Sequence, residues 1–324
     1  MELPSLYPAL VKKEIEKFCR DLDPLLPELY EPMKYMASME GKKIRPVMLL
    51  LACKAFGGNL KDALPAALAI ELFHNFTLMH DDIMDHALLR RNKPSVHVKW
   101  NANIAILSGD ALMIKAFEYM SKTKPPYREA ALNLFTQTAL KVCEGQQLDM
   151  NFETRKNLPA EDYLRMIRLK TAALFSASLK LGAMLGKASA ANVKKMGIFG
   201  ENTGMLFQLQ DDVLDVFGKQ QKVGKQTGGD IVRNKKTFLL LKALELAKGS
   251  KRRELEALLQ NNSLPDTEKV QKVKKLYEEL DVLQYARRQM ELYRKEARKA
   301  IRTLKSPEIK ILAELTEQLM NREL

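Results

Sequence analysis

Three features of the chain predict an all-α fold. Apolar residues recur at helical spacing almost from end to end, and no segment sustains apolar/polar alternation. No Asn-Gly or Asp-Gly turn stands between β-branched runs. Glycine and proline are sparse, 15 and 13 in 324 residues, which argues against collagen-like, linker-rich or turn-dense β chains. The expectation is one large domain, 1–324, with ten or more helices.

The elements follow in order. Val11, Ile15 and Phe18 open the periodicity. Gly41-Lys42-Lys43-Ile44-Arg45-Pro46 stands where a helix begins, with Lys42 and Arg45 at i, i+3. Leu68, Leu72, Phe76, Met79 and Ile83 recur at spacings of four, four, three and four. Similar stripes cover about 101–120, 127–150, 160–186, 193–217, 236–247, 269–303 and 307–321. Within the 160–186 stripe, Lys170-Thr171 interrupts an apolar face of Leu164, Ile167 and Leu174, so a buried polar role is expected there. Breaks fall at Gly57-Gly58-Asn59, at Lys124-Pro125-Pro126 and from Gly224 to Gly229. None is long enough to link two domains.

Hydrophobic residues make up 46% and charged residues 29%, enough apolar side chain for a sizeable core and too much for wholesale disorder. The 53 basic and 40 acidic residues leave a net charge of +13, which favours anionic partners: nucleic acid, a membrane surface or phosphorylated small molecules. Three cysteines, Cys19, Cys53 and Cys143, form no CxxC, so neither a disulfide framework nor a zinc site is expected, and a reducing cytoplasm fits. The N-terminal stretch has an acid at position 2 and no apolar h-region, so no signal peptide is expected. The longest clean apolar runs are too short to span a bilayer, so no stable membrane insertion is expected.

One internal echo carries chemistry. Asp81-Asp82-Ile83-Met84-Asp85 and Asp211-Asp212-Val213-Leu214-Asp215 share the pattern DDxxD. Composition alone yields one such pattern roughly 0.03 times in a chain of this length. At about 100° per residue, Asp81 and Asp85 share a face with His74 and Glu71, opposite Leu72, Phe76, Met79 and Ile83. Asp211 and Asp215 share a face with Gln208 and Gly204, while Leu206, Leu209 and Val213 point away. Close carboxylates repel and are costly unless cations compensate. Oxygen ligands one helical turn apart suit Mg²⁺, which keeps waters and is completed by substrate phosphates.

Cationic side chains for such a phosphate group are present. The helix start at Lys42 and Arg45 adds backbone N–H donors to its charges. Arg90-Arg91-Asn92-Lys93-Pro94 follows the first cluster, its arginines offering planar forks to two phosphate groups. Lys225 lies in the loop Gly224-Lys225-Gln226-Thr227-Gly228-Gly229, followed by Asp230 and Lys235. That loop lacks the GxxxxGK[ST] spacing of a nucleotide-binding P-loop. His80, His86 and His97 form no metal constellation.

Taken in order, GKKIRP, ELFHNFTLMHDDIMD, RRNKP, KTAAL, FQLQDDVLDVFG and GKQTGGDIVRNK make the chain resemble the trans-isoprenyl diphosphate synthases, the polyprenyl synthetase family, from residue 41 to 235. The resemblance implies a single bundle of mostly antiparallel helices around a central active-site cavity, and a Mg-dependent prenyltransferase that joins isopentenyl diphosphate to dimethylallyl, geranyl or farnesyl diphosphate. Three Mg²⁺ would bridge the clusters to the allylic diphosphate. The metal site would comprise Asp81, Asp85, Asp211 and Asp215, the first three binding directly and Asp215, like Asp82, through hydrogen bonds or water. Asp212, Lys170 and Lys225 complete the expected catalytic set. Arg90, Lys170, Thr171, Gln208, Lys225 and Lys235 would hold the allylic diphosphate. Lys42, Arg45, His74 and Arg91 would hold isopentenyl diphosphate.

Ionisation of the allylic C–O bond, attack by the isopentenyl double bond and loss of a proton would follow in a water-excluding cavity. In the family a bulky residue at Phe76 acts as a floor to the growing chain, and Thr77 beside it is small, which implies geranylgeranyl ahead of farnesyl diphosphate. Periodicity alone reads Phe76 equally well as a core residue. A homodimer is implied. Two departures stand beside substrate-binding residues, Glu40 in place of the first glycine of a GGK run and Asn92 in place of the glycine of RRGxP. The rivals are a class I terpene cyclase, whose second metal motif is of another type, and a basic helical scaffold for nucleic acid or membrane. No helix-turn-helix or RNA-binding signature supports the scaffold, so no nucleic-acid partner is expected.

Overall fold

The computed structural model describes residues 5–155, 157–218, 228–261 and 263–320. Helix α1 (Leu6–Arg20) turns Tyr7, Val11, Ile15 and Phe18 inward. Helix α2 (Pro27–Ser38) opens on Pro27, whose missing N–H would have had no partner in a first turn. Helix α3 (Ile44–Ala55) is buried from Pro46 to Cys53, as its unbroken apolar run requires. Helix α4 (Leu60–Met84) starts on Asn59, whose side chain accepts the Lys61 N–H at 3.0 Å, and runs 25 residues into the first aspartate cluster.

A hairpin follows that sequence patterning does not announce. Strands β1 (Leu89–Arg90) and β2 (Lys93–Pro94) pair antiparallel. Arg91 and Asn92 form the two-residue turn with φ of 53° and 60°, positive at both positions as a twisted hairpin prefers. Asparagine is, after glycine, among the residues that enter this region most readily, so the Asn92 departure is accommodated by the backbone itself.

Beyond it lie α5 (Val96–Lys99), α6 (Ala102–Ser121), α7 (Arg128–Thr154) and α8 (Ala160–Ile167). A π-turn (Arg168–Ala172) joins α8 to α9 (Ala173–Leu185). Then come α10 (Ala190–Phe217), α11 (Gly229–Val232), α12 (Phe238–Leu246), α13 (Gly249–Gln260), α14 (Asp266–Glu279), α15 (Val282–Ile301) and α16 (Pro307–Met320). Two expected stripes are therefore divided. The 160–186 stripe contains the π-turn, and the 269–303 stripe breaks at Asp281, whose φ of 55° cannot belong to a right-handed helix. Among the described residues no helix is long and apolar enough to cross a membrane.

The chain divides into two compact units. One comprises Met1–Thr138, Ser176–Gly197 and Thr303–Glu314. Within it α4 packs most extensively on α6 and α3. Phe73, Phe76, Phe117 and Phe135 form its aromatic centre, with Phe73–Phe135 and Phe117–Phe135 edge-to-face at 5.3 and 4.9 Å. The other comprises Ala139–Phe175, Ile198–Arg302 and Leu315–Leu324. There α12 packs on α8, α14 and α15, and α14 also meets α11 and α13.

Helix α9 approaches α3 through Gly182, where a Cβ would lie 2.2 Å from Leu49 O. A backbone oxygen cannot swing aside, so Gly182→Ala is expected to destabilise by about 1–3 kcal/mol, read as a lowered midpoint of thermal unfolding.

Candidate active site

Both aspartate clusters lie at helix C-terminal ends, the first running over the end of α4 to its C-cap Asp85 and the second within the last two turns of α10, which ends at Phe217. A helix C-terminus carries partial negative charge, so carboxylates there repel both each other and the helix. The same arrangement attracts cations.

In the first cluster Asp82 is 1% exposed and lies against the hairpin arginine. Arg90 Nε donates to both carboxylate oxygens at 2.9 and 3.1 Å, and Arg90 Nη2 donates to Oδ1 as well. Asp81 is further away, 4.0 Å from Arg90 Nη2. Burial opposes the Arg90 charge, but the Asp82 hydrogen bonds and the charges of Asp82, Asp81 and Asp85 outweigh it and push the guanidinium pKa up. Asp81 and Asp85 are half-buried on either side of this locked residue.

Beside it the start of α3 gathers base. Lys43 takes the left-handed conformation, φ 44°, and its Nζ lies 2.9 Å from Oε1 of the buried Glu71 and 3.3 Å from Ala37 O. Arg45 Nη1 is 3.1 Å from His74 Nε2. Burial, reinforced by Arg45, Arg91, Lys43 and Arg90, holds the His74 pKa well below its ordinary value. The imidazole is therefore neutral and accepts from Arg45 at Nε2, which leaves its proton on Nδ1. Arg91 Nη1 donates to Met39 O at 3.1 Å, and its guanidinium lies so close over Gly41 that a Cβ there would meet Nη1 at 2.7 Å. Lys42, Arg45, His74, Arg90, Arg91 and the first cluster thus all belong to one unit. Thr77 Oγ1 donates to His74 O at 2.8 Å, and Phe76, 8% exposed, packs on Phe73 and His80 at 5.5 and 4.7 Å.

The second cluster repeats the division of labour. Asp212 is 3% exposed. Tyr163 Oη donates to its Oδ2 at 2.5 Å and Gln208 Nε2 to its Oδ1 at 3.0 Å. Burial, with the charge of Asp230, pushes the Asp212 carboxyl up to about 8 against the opposing pull of those two donors and of Lys235. Gln208 is oriented in turn, its Oε1 accepting from Thr171 Oγ1 at 2.9 Å. Asp215 Oδ2 accepts the Asp230 N–H at 2.9 Å, and Asp215 O accepts the Gly228 N–H at 2.6 Å, which ties the start of α11 to the cluster. Asp211 and Asp215 are half-buried, as their counterparts are. Lys170 Nζ donates to Asp149 Oδ2 at 2.8 Å. Lys235 follows α11, its N–H donating to Asp230 O at 2.8 Å. Lys225 lies outside the described residues.

Sequence reading missed Asp149 and Tyr163, and it placed Glu71 and Asp230 beside the motifs without giving either a role. Only Lys170 offered a signal, since a half-buried ammonium needs a counter-charge, but nothing in the sequence chooses Asp149 for it. Among the described residues no three His, Cys, Asp or Glu side chains gather closely enough to hold a metal alone. Paired carboxylates at two helix C-termini still fit a hard cation that keeps waters and takes phosphate oxygens.

Residues 26–280 match the polyprenyl synthetase family model. The chain is 45% identical over 231 residues to a geranylgeranyl diphosphate synthase of Methanosarcina mazei, covering 69% of this chain and 71% of that one. It resembles the crystal structure of a geranylgeranyl pyrophosphate synthetase from Pyrococcus horikoshii with a TM-score of 0.91 and 34% identity, over 98% of this chain and 96% of that one. A Corynebacterium glutamicum geranylgeranyl pyrophosphate synthase, crystallised with isoprenyl diphosphate and magnesium, shares the fold at 22% identity and a TM-score of 0.88, over 98% and 99% of the two chains. The family is metal-dependent. The chain belongs to the polyprenyl synthetase family and is a short-chain trans-isoprenyl diphosphate synthase, a prenyltransferase.

Proposed function

We propose that the chain condenses isopentenyl diphosphate with an allylic diphosphate and releases geranylgeranyl diphosphate. The observation that carries the residue assignment is shared by the two clusters. In each, the middle aspartate is buried and hydrogen-bonded, Asp82 by Arg90 and Asp212 by Tyr163 and Gln208, while the outer two are half-buried. The four outer aspartates, Asp81, Asp85, Asp211 and Asp215, would therefore face the magnesium; by the family resemblance the first three bind directly, Asp215 assists, and a site takes three ions. Bound Mg²⁺ supplies Lewis-acid neutralisation of the diphosphate as it departs.

The side chains supply the rest. Lys170, Thr171, Gln208, Lys225, Lys235 and Arg90 hold the allylic diphosphate and add positive charge where the leaving group becomes more anionic. Lys42, Arg45 and Arg91 hold isopentenyl diphosphate at the start of α3, where backbone N–H groups favour an anion. Neutral His74 orients Arg45 and can donate from Nδ1. The water-excluding cavity that the family resemblance implies would keep water from quenching a carbocation. Similarity to the M. mazei geranylgeranyl diphosphate synthase supports the chain length, as does the bulky Phe76 beside small Thr77.

The test is elongation by purified protein of dimethylallyl, geranyl and farnesyl diphosphates in turn, with isopentenyl diphosphate and Mg²⁺ and products identified by mass spectrometry. Geranylgeranyl diphosphate should accumulate from every primer, and chelation by EDTA should abolish turnover. Accumulation of a shorter product, or undiminished turnover in EDTA, would overturn the reading. Phe76→Ala should shift the product to longer chains in the same assay. An unchanged product would return Phe76 to the role of a core residue.

We further propose a homodimer. Helix α6 carries exposed Ile106, Leu107 and Ile114, the last two 61% and 65% exposed and seven residues apart on one face. Light scattering should give twice the 36.9 kDa chain mass for the native protein and the monomer mass for the Leu107→Lys, Ile114→Lys double variant. A monomeric native protein would rule the dimer out.

A further inference from the structure

The π-turn has no local cause. Arg168-Leu169-Lys170-Thr171-Ala172 contains neither glycine nor proline, yet the Ala173 N–H donates to Arg168 O, five residues back instead of four. Such turns are rare and concentrate at functional sites. Two neighbouring helices approach the turn closely. A Cβ at Gly145 of α7 would lie 2.3 Å from Lys170 N and 2.7 Å from Lys170 Cα. A Cβ at Gly204 of α10 would lie 2.6 Å from Ala172 Cα and 2.9 Å from its Cβ. At Gly145 the opposing atoms are backbone and cannot rotate away. The two helices thus approach the widened turn at a distance that only glycine permits.

Each glycine is followed, four residues on and so on the same helix face, by a polar partner for the turn. Gly145 precedes Asp149, which accepts from Lys170 Nζ. Gly204 precedes Gln208, which accepts from Thr171 Oγ1. Gln208 then passes the constraint to Asp212, four residues further along, and Tyr163 of α8 holds the other oxygen of that carboxylate.

We propose that Gly145 and Gly204 are positioning residues that clamp the π-turn and thereby aim Lys170 and Thr171 at the allylic diphosphate. The clamp rests on the reading above that these two side chains hold that substrate. It separates their placement from general packing, because the same glycines set both the backbone register and the reach to Asp149 and Gln208.

The test is steady-state kinetics with geranyl and isopentenyl diphosphates varied independently, at a temperature below the unfolding midpoint of every variant. Gly145→Ala and Gly204→Ala should each lower kcat/KM for geranyl diphosphate by about 10²-fold, as expected for a misplacement near 1 Å, and leave the KM for isopentenyl diphosphate unmoved. Gly182→Ala, which crowds α3 instead, is the control for a packing lesion and should not separate the two substrates. Asp149→Asn removes the Lys170 counter-charge without adding volume and should reproduce the geranyl-selective loss even if a glycine variant does not fold. Equal losses for both substrates, or none, in the glycine and Asp149 variants would overturn the clamp. Lys170→Ala and Thr171→Val distinguish the two levels. If they are selective for geranyl diphosphate while the others are not, only the clamp falls. If they too are unselective, the allylic assignment falls and takes the clamp with it.

Discussion

Three carboxylates within five residues repel one another, and at the C-terminal end of a helix they also face the negative pole of the backbone dipoles. This chain carries that arrangement twice, at the ends of α4 and α10. Much of the surrounding structure answers to it. The hairpin bearing Arg90 holds Asp82, while Tyr163 and Gln208 hold Asp212. In both places one carboxylate is removed from the cluster's repulsion by burial with a donor. The outer two are half-buried, and in the proposed function it is they that face the diphosphate-bound cations.

The basic residues follow a second logic, in which not every cation serves as a ligand. Lys43 sits in a left-handed conformation and pairs with buried Glu71, anchoring the start of α3 between Lys42 and Arg45. Arg90 and Arg91, proposed to hold diphosphates, are instead oriented by Asp82 and Met39 O. Residues that look equivalent in a charge run are sorted by what lies beneath them. The net charge of +13 says that anions are favoured and does not say where.

Glycine contributes through absence of a side chain. Gly41 lets the Arg91 guanidinium close over the chain, Gly182 brings α9 onto α3, and Gly145 and Gly204 admit the π-turn. In a close-packed interior a single methyl group changes such distances, so these positions tune geometry more sharply than larger residues do.

Helicity, the two DDxxD clusters and the order of the basic segments were legible in the sequence, because helical period and spacing along one chain are local properties. Within each cluster, which aspartate is buried was not legible. The three carboxylates are chemically identical, and the choice falls to donors such as Tyr163, 49 residues from Asp212. Asp149 stands 21 residues from Lys170 on another helix, and only packing brings the pair together. The 160–186 stripe reads as an unbroken helix because its own residues favour one, and the glycines that oppose it belong to α7 and α10. Chemistry and periodicity are thus written along the chain, whereas partner choice and backbone register depend on which helices approach closely enough to touch.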